Sequence, residues 1–474
     1  MAFGEAVSAG DPEARCVRSN GSPLGTFVSS AVVPESAARG VRARLVDTLA
    51  VAIGARNTPE ARFLDGWADA LVGTARGKCT DWSRGRRWPA DLAAHLNGAY
   101  AHLLDYDDST SSLRLHPSAV ILPALLALAE TRGSTLAEVG RAYAVGYQAM
   151  SLLAPEHLAG QYERGWHITT TLGACGAAAA CAHLLRLPAS AVDAIFGFLG
   201  AGFGASRVNF GTIGKPYQVG AASAGAVRAA LMAETGALSG PFLSDPSLGL
   251  GAMYAGHAAA DLDLEDDGWA ILTDPPRVKV VPACFGTHYP VAAAQHLHDQ
   301  GIAAADIAGV RVQTNATGLV PLIDHLPLSP TEARFSLPYV LARVLRTGEV
   351  RLSDFTADGF AMHGQDPLLS RITAEEAPGA PFPRWAQVHV TTHDGATVTA
   401  RCDALPSTES GTVLADKLND CLVAGGLPPR DVDGIGARLV AAVDAAWTTP
   451  VSALIEALRH PTIFGTEKRT TART

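Results

Sequence analysis

The sequence predicts a mainly α protein: a large all-helical domain plus a smaller inserted α+β lid domain. Three observations predict it. Helical spacing of apolar residues recurs almost without a break over 36–234, strand signals are scarce before residue 270, and β-type runs follow Thr273-Asp274-Pro275-Pro276 until helical patterns return at 414. At 474 residues the chain also exceeds the size at which one hydrophobic core keeps growing, so two domains are expected.

Residues 1–26 are rich in Gly, Ser and Arg and read as a flexible end. Residues 36–53 follow Pro34-Glu35 and space Val41, Leu45, Leu49 and Val51 as an amphipathic helix does. Further helical patterns run over 59–72, 89–104, 118–130, 136–153, 168–185, 189–198 and 221–234. Alanine and glycine dominate the inner ones, which allows close helix packing. Runs 278–281, 309–313, 385–392 and 396–402 read as strands; His393-Asp394-Gly395 between the last two is a hairpin turn. Helical patterns at 289–300 and 335–345 lie among them, and others follow at 414–424, 432–446 and 451–459. The helical domain is therefore expected over 27–272 and 406–462, the lid over 273–405, and a second flexible end over 463–474. There is no internal repeat.

A hydrophobic fraction of 48% with 18% charged residues describes an ordinary soluble protein. A net charge of −9 argues against nucleic acid as partner, since phosphate neutralisation needs a basic face. Seven cysteines without a Cys-x-x-Cys pair suggest reduced thiols and offer no iron–sulfur ligand cluster. The first twenty residues lack an apolar run typical of a signal peptide, and the alanine-rich run 172–185 is too short to span a bilayer. A cytoplasmic protein without membrane association is expected.

Against this apolar background, several polar stations stand out. Asp105, Asp107 and Asp108 end an apolar helix; Asp105 follows Leu103-Leu104 and should lie partly buried, while Asp107 and Asp108 could equally be solvated acids. His116 precedes Pro117, which suits a helix start. His167 follows Gly165-Trp166 and opens an apolar helix, whose dipole favours the neutral ring of a base or donor. Lys215 follows a glycine-rich turn. The Gly200-x-Gly202-x-Gly204 run before it lacks the βαβ context of a dinucleotide site, so carboxylate binding suits the lysine better. Lys279 sits in an apolar run and must snorkel or pair with an anion. Cys284 and His288 are four apart, but two ligands without others nearby make no metal site, and no metal is expected. Together the stations read as a pocket for a small, multiply negative substrate.

With these motifs assembled, the chain resembles the MmgE/PrpD family over about residues 27–460. The resemblance rests on Asp105-x-Asp107-Asp108 leading to His116-Pro117, Gly165-Trp166-His167 before a Thr-Leu-Gly-Ala helix, Gly211-Thr212-x-x-Lys215, Lys279-x-x-Pro282-x-Cys284 with Thr287-His288, and Arg334-Phe335-Ser336-Leu337-Pro338-Tyr339. It implies a homodimer, a di- or tricarboxylate substrate, and acid/base chemistry without metal or organic cofactor. It further implies catalytic roles for His167, His116, Asp105, Lys215 and Lys279, with Tyr339, Cys284, Gln218, Ser109, Thr110 and His288 near the substrate. Ser109 or Thr110 stands for the family's threonine. Gln218 stands where the family often carries a histidine, and Cys284 where the decarboxylase has a second one; the latter weakens the case for decarboxylation in particular.

The expectation is a lyase that dehydrates a β-hydroxy acid by removing a proton next to a carboxylate. In it His167 is the principal proton-transfer group, His116 is oriented by Asp105, and Lys215 and Lys279 hold carboxylates. An epimerase or isomerase using the same α-proton chemistry, a decarboxylase, and a non-catalytic metabolite-binding paralogue are the alternatives.

Overall fold

A computed structural model describes residues 21–73, 77–110, 112–157, 160–202, 204–256, 268–408 and 411–458. The flexible ends expected within 1–20 and 463–474 lie outside the described residues, as do Cys16 and Phe203. Among the described residues 18 helices make the chain 58% helical, with a small mixed sheet. None of these helices is long and apolar enough to cross a membrane.

The larger apolar core is built from helices whose inner residues are nearly all small. Leu172–Leu184 buries every side chain from Leu172 to Ala182, most of them Ala, Gly or Cys, and Leu136–His157 packs along it. A Cβ on Gly146 would meet the Gly176 carbonyl at 2.4 Å, so that crossing exists only because both residues are glycine. Gly214–Glu234 packs on Ala90–Leu103 in the same way, where a Cβ on Gly220 would lie 2.2 Å from the His95 carbonyl. This second crossing fixes Lys215 and Gln218 against the end of Ala90–Leu103, from which the acid run departs.

Helices fall close to their expected positions. The run 36–53 divides at Gly40 into Glu35–Arg39 and Val41–Ala55, and 168–185 divides into the 3-10 turn Ile168–Thr170 and Leu172–Leu184. Gly214–Glu234 begins seven residues before its pattern, and the helix Pro23–Ser30, with Leu24 and Val28 buried, starts four residues inside the end expected to be flexible and runs on past it. Short strands β1 (Cys79–Thr80) and β2 (Arg87–Trp88) pair as a small hairpin.

A second buried cluster is formed by residues between Val281 and Cys402. Its sheet has strands β3 (Ile307–Thr314), β4 (Ile372–Glu376), β5 (Ala386–Thr392) and β6 (Thr397–Cys402) in the order β4-β3-β5-β6, with β3 and β4 parallel and the other pairs antiparallel. β3, β5 and β6 match sequence expectation, with Gly395 (φ 86°) in the hairpin turn. β4 was not expected: its residues Thr373 to Glu376 are exposed, so it carries no alternating apolar signal. The run 278–281 is not a strand. Only Arg277 pairs, in an isolated bridge with Ser109, and Pro282 ends any ladder there. Helices His288–Asp299 and Leu337–Thr347 pack on each other behind the sheet.

Candidate active site

Ala90–Leu103 ends at Leu104, and the chain turns sharply at Asp105, which adopts a left-handed φ of 49°. That turn folds the acid run back under the helix it came from. Asp107 and Asp108 are fully buried rather than solvated, and Asp105 is 3% exposed. Asp107 Oδ2 lies 2.7 Å from Nδ1 of His102, in the last turn of the same helix, and 3.4 Å from Nδ1 of His116. Asp108 accepts from the Ser118 amide and hydroxyl, and burial pushes its carboxyl up to about 7.

The acid beside His116 is therefore Asp107, not Asp105 as expected. Asp105 is taken up by two lysines. Lys215 donates to its Oδ1 at 2.5 Å, and Lys279 donates to its backbone carbonyl at 2.8 Å and lies 3.4 Å from Oδ1. Burial alone would raise the Asp105 carboxyl, but the two ammonium groups outweigh it and hold it well below the usual range. Lys279 also donates to the Ala283 carbonyl, and the Lys215 ammonium lies 5.2 Å from the ring centroids of Phe210 and Phe335.

The hydrogen bonds settle which ring nitrogens carry protons. His116 Nδ1 lies 2.9 Å from the Asp108 backbone carbonyl, which can only accept, so Nδ1 bears the hydrogen and Nε2 a lone pair. His167 is the reverse. Gln218 donates through Nε2 to the Ser206 carbonyl and to His167 Nδ1, the latter at 2.6 Å, while its Oε1 accepts from Asn209. Nδ1 of His167 is then an acceptor, and Nε2 carries the proton. Burial pushes His102, His116 and His167 well below the usual histidine range, so all three are neutral near pH 7. His102 lies between the other two rings, with centroids 4.7 Å from His116 and 5.8 Å from His167.

His116, His167, Cys284, Ser109 and Thr110 line one cavity of about 50 Å³, together with Arg114, Tyr162, Phe210 and Arg384. The Thr110 hydroxyl is buried there without a partner, whereas Ser109 is committed to the Arg277 bridge and donates weakly to the Leu115 carbonyl. Burial raises the Cys284 thiol above its usual range, so it is a neutral wall of the cavity. A larger cavity of about 820 Å³ lies elsewhere, lined by Tyr106, Arg351 and Lys417, and holds none of these histidines. His288 faces that second space. Its Nε2 lies 3.4 Å from the Ala283 carbonyl, and burial pulls its ring down to about 3. Tyr339 is not brought to either cavity. It is fully buried in the second apolar cluster, where its hydroxyl donates to the Asp354 carbonyl at 2.5 Å.

Sequence reasoning passed over His102, Arg114 and Arg384. The His102-x4-Asp107 spacing does not match a helical face, and only the turn at Asp105 brings the pair together. The ligand atoms of His102, Asp105, Asp107 and His116 lie within 4.8 Å of one another, a donor set that could hold a divalent cation. The Lys215 and Lys279 ammonium groups already occupy the positive side of that cluster, so a cation would have to displace them.

Two family models match the chain, the MmgE/PrpD N-terminal domain over residues 26–263 and the MmgE/PrpD C-terminal domain over residues 281–422. Among characterised proteins, the chain is similar to cis-aconitate decarboxylase of Homo sapiens, 28% identical over 331 residues that cover 67% of this chain and 68% of that protein. It is similar to the Mus musculus protein of the same name at 27% over 340 residues, 68% of this chain and 69% of the other. A cis-aconitate decarboxylase-like protein of Aspergillus oryzae is 32% identical over 149 residues, 26% of this chain and 31% of that protein.

Proposed function

The chain belongs to the MmgE/PrpD family, and from that premise we propose that it is a lyase acting on a di- or tricarboxylate, dehydrating a β-hydroxy acid. The observation that supports this most is the pair of neutral histidines on one cavity with opposite tautomers, one offering a lone pair and the other a proton. Elimination of water next to a carboxylate needs those two functions. A base removes the α-proton, and an acid protonates the departing hydroxyl.

In this reading His116 Nε2 takes the α-proton, and the resulting imidazolium is stabilised by the Asp107 carboxylate near its Nδ1. His167 Nε2–H donates to the leaving hydroxyl, held in that tautomer by Gln218. The roles are thus exchanged from those the sequence suggested. The enediolate-like charge that develops on the substrate carboxylate is stabilised through space by Lys215 and Lys279, which lie behind the cavity lining at Asp105 and exceed it by one positive charge. Residues 273–405 serve as the lid. The protein acts as a cytoplasmic homodimer without metal or organic cofactor.

Decarboxylation is the second reading, favoured by the names of the similar human and mouse proteins. Proton NMR of the enzyme with 2-methylcitrate, citrate, cis-aconitate and related acids in D₂O separates the readings. A vinyl signal with loss of the carbinol pattern supports dehydration. Release of carbon dioxide from an unsaturated acid favours decarboxylation, and α-deuterium with an unchanged skeleton moves the assignment to an epimerase. Binding without any of these changes would favour the non-catalytic paralogue.

A further inference from the structure

We propose that Arg384 and Arg114 form a carboxylate-binding subsite for the end of the substrate remote from the reacting carbon, a proposal that rests on the lyase reading above. The two arginines share the cavity of His116 and His167. Arg384 comes from the segment just before β5, and its Nε is buried without a hydrogen-bond partner. Its strongest electrostatic neighbours are Arg114, Tyr162, Cys284 and Tyr289, none of them a carboxylate. Arg114 reaches the same place from the loop after the acid run. Its guanidinium carbon lies 5.1 Å from the Phe382 ring centroid and that of Arg384 lies 5.4 Å from it.

Two guanidinium groups converging on one ring repel each other, and burial of an unpaired charge is costly. Arg114 has one acidic partner, Glu163 at 3.2 Å, but that glutamate is 57% exposed and its pull is screened by solvent. An anion between the guanidiniums would relieve both costs and match the planar, bidentate geometry for which arginine is suited. The lysines are placed differently. Lys215 and Lys279 are both bound to Asp105 and lie outside the lining of this cavity, whereas Arg384 and Arg114 line it and Arg384 keeps an unpartnered Nε there. A ligand held in the cavity then presents a carboxylate to the arginines and its reacting carbon to the histidines.

The test uses the full chain. Citrate and succinate are titrated by calorimetry into the wild type, Arg384→Met, Arg384→Lys, Arg114→Met and a control, Arg311→Ala, taken from the exposed pair with Glu375. Turnover of the carboxylate panel is measured in parallel. Arg384→Met keeps the side-chain volume, and its melting temperature checks folding. The expected result is a loss of citrate affinity of about 30-fold or more for Arg384→Met. Arg384→Lys should recover part of it, Arg114→Met should lose less, and the control should bind as wild type. Unchanged citrate binding in Arg384→Met, with wild-type turnover intact, overturns the subsite and leaves the lyase reading standing. Absent turnover with citrate binding still lost in Arg384→Met overturns the lyase reading and keeps the subsite. A wild type that binds neither acid overturns the subsite, and the lyase reading then stands or falls by turnover of the panel.

Discussion

The side-chain amide of Gln218 donates to Nδ1 of His167 at 2.6 Å, and the carbonyl of Ser206 on the same amide nitrogen keeps it from turning over. One neutral residue thereby dictates the tautomer of another. Gln218→Glu would present an acceptor to Nδ1, draw the proton there and leave Nε2 as a lone pair. Its kcat is expected to fall by about 10²-fold, with little change in KM or melting temperature, in steady-state assays on the substrate the NMR panel identifies. An unchanged kcat would refute the tautomer argument.

The two histidines should separate the two half-reactions. His116→Ala is expected to abolish incorporation of solvent deuterium at the α-carbon, because it removes the lone pair. His167→Ala should still exchange the α-proton while elimination drops roughly 10²–10⁴-fold. Exchange surviving in the first variant and vanishing in the second would return the base to His167.

Asp107 is shared by His102 and His116, so Asp107→Asn should disturb both. Both rings face the same oxygen, Oδ2, so the amide can keep the acceptor but removes the charge that stabilises a protonated ring. A decrease of at least about 10²-fold in kcat/KM is expected, with the fold retained by circular dichroism. A decrease no larger than that of His102→Ala would show that Asp107 acts on His102 alone.

Stability should depend on pH through Asp108, whose carboxyl rises from 3.8 to about 7 by burial. A carboxyl with a raised folded pKa binds its proton more tightly when folded. Its contribution is complete below pH 3.8 and is lost as pH rises to 7. Asp108→Asn keeps a neutral side chain at every pH, so it should gain on the wild type by up to roughly 1.4 kcal/mol per pH unit within that window. Chemical denaturation at pH 5, 6, 7 and 8 measures the difference, and a constant difference would contradict the burial argument. The buried histidines act in the opposite sense. Their folded pKa values are depressed, so their contribution is present above pH 6.5 and is lost as pH falls below it.

Because two ammonium groups fill the positive side of the His102, Asp105, Asp107 and His116 cluster, dialysis against a chelator is expected to leave activity and melting temperature unchanged. A loss restored by a single divalent metal would overturn this.

How far the chain could be read from its sequence depended on how local each signal was. Helices such as Pro59–Val72 and Ala189–Leu199 carry their apolar spacing locally, with a proline at or just before the first residue, and appear where expected. His116, His167, Lys215 and Lys279 were legible as polar groups in apolar surroundings, and the structure brings all four around the acid run. His102 was not, because its partner lies across a left-handed turn at Asp105 that a non-glycine residue seldom makes. Arg384 was not, because nothing within its proline-rich segment marks a residue whose meaning comes from Arg114, 270 positions earlier. Tyr339 misled for the converse reason. Its motif is local, but its hydroxyl is spent on Asp354 within the second core.

Consecutive carbonyls of the acid run are gripped from far along the chain. Lys279 holds that of Asp105, and Lys417, itself paired with Asp47 at 2.5 Å, holds that of Tyr106 from the helix Gly411–Ala424. The peptide planes that aim Asp105 and Asp107 are thus set by residues made long after them. During synthesis the helical scaffold can collapse early, yet the cluster around the acid run stays unassembled until the C-terminal helices have emerged from the ribosome. A chain cut short before residue 417 would keep most of its apolar core and be silent.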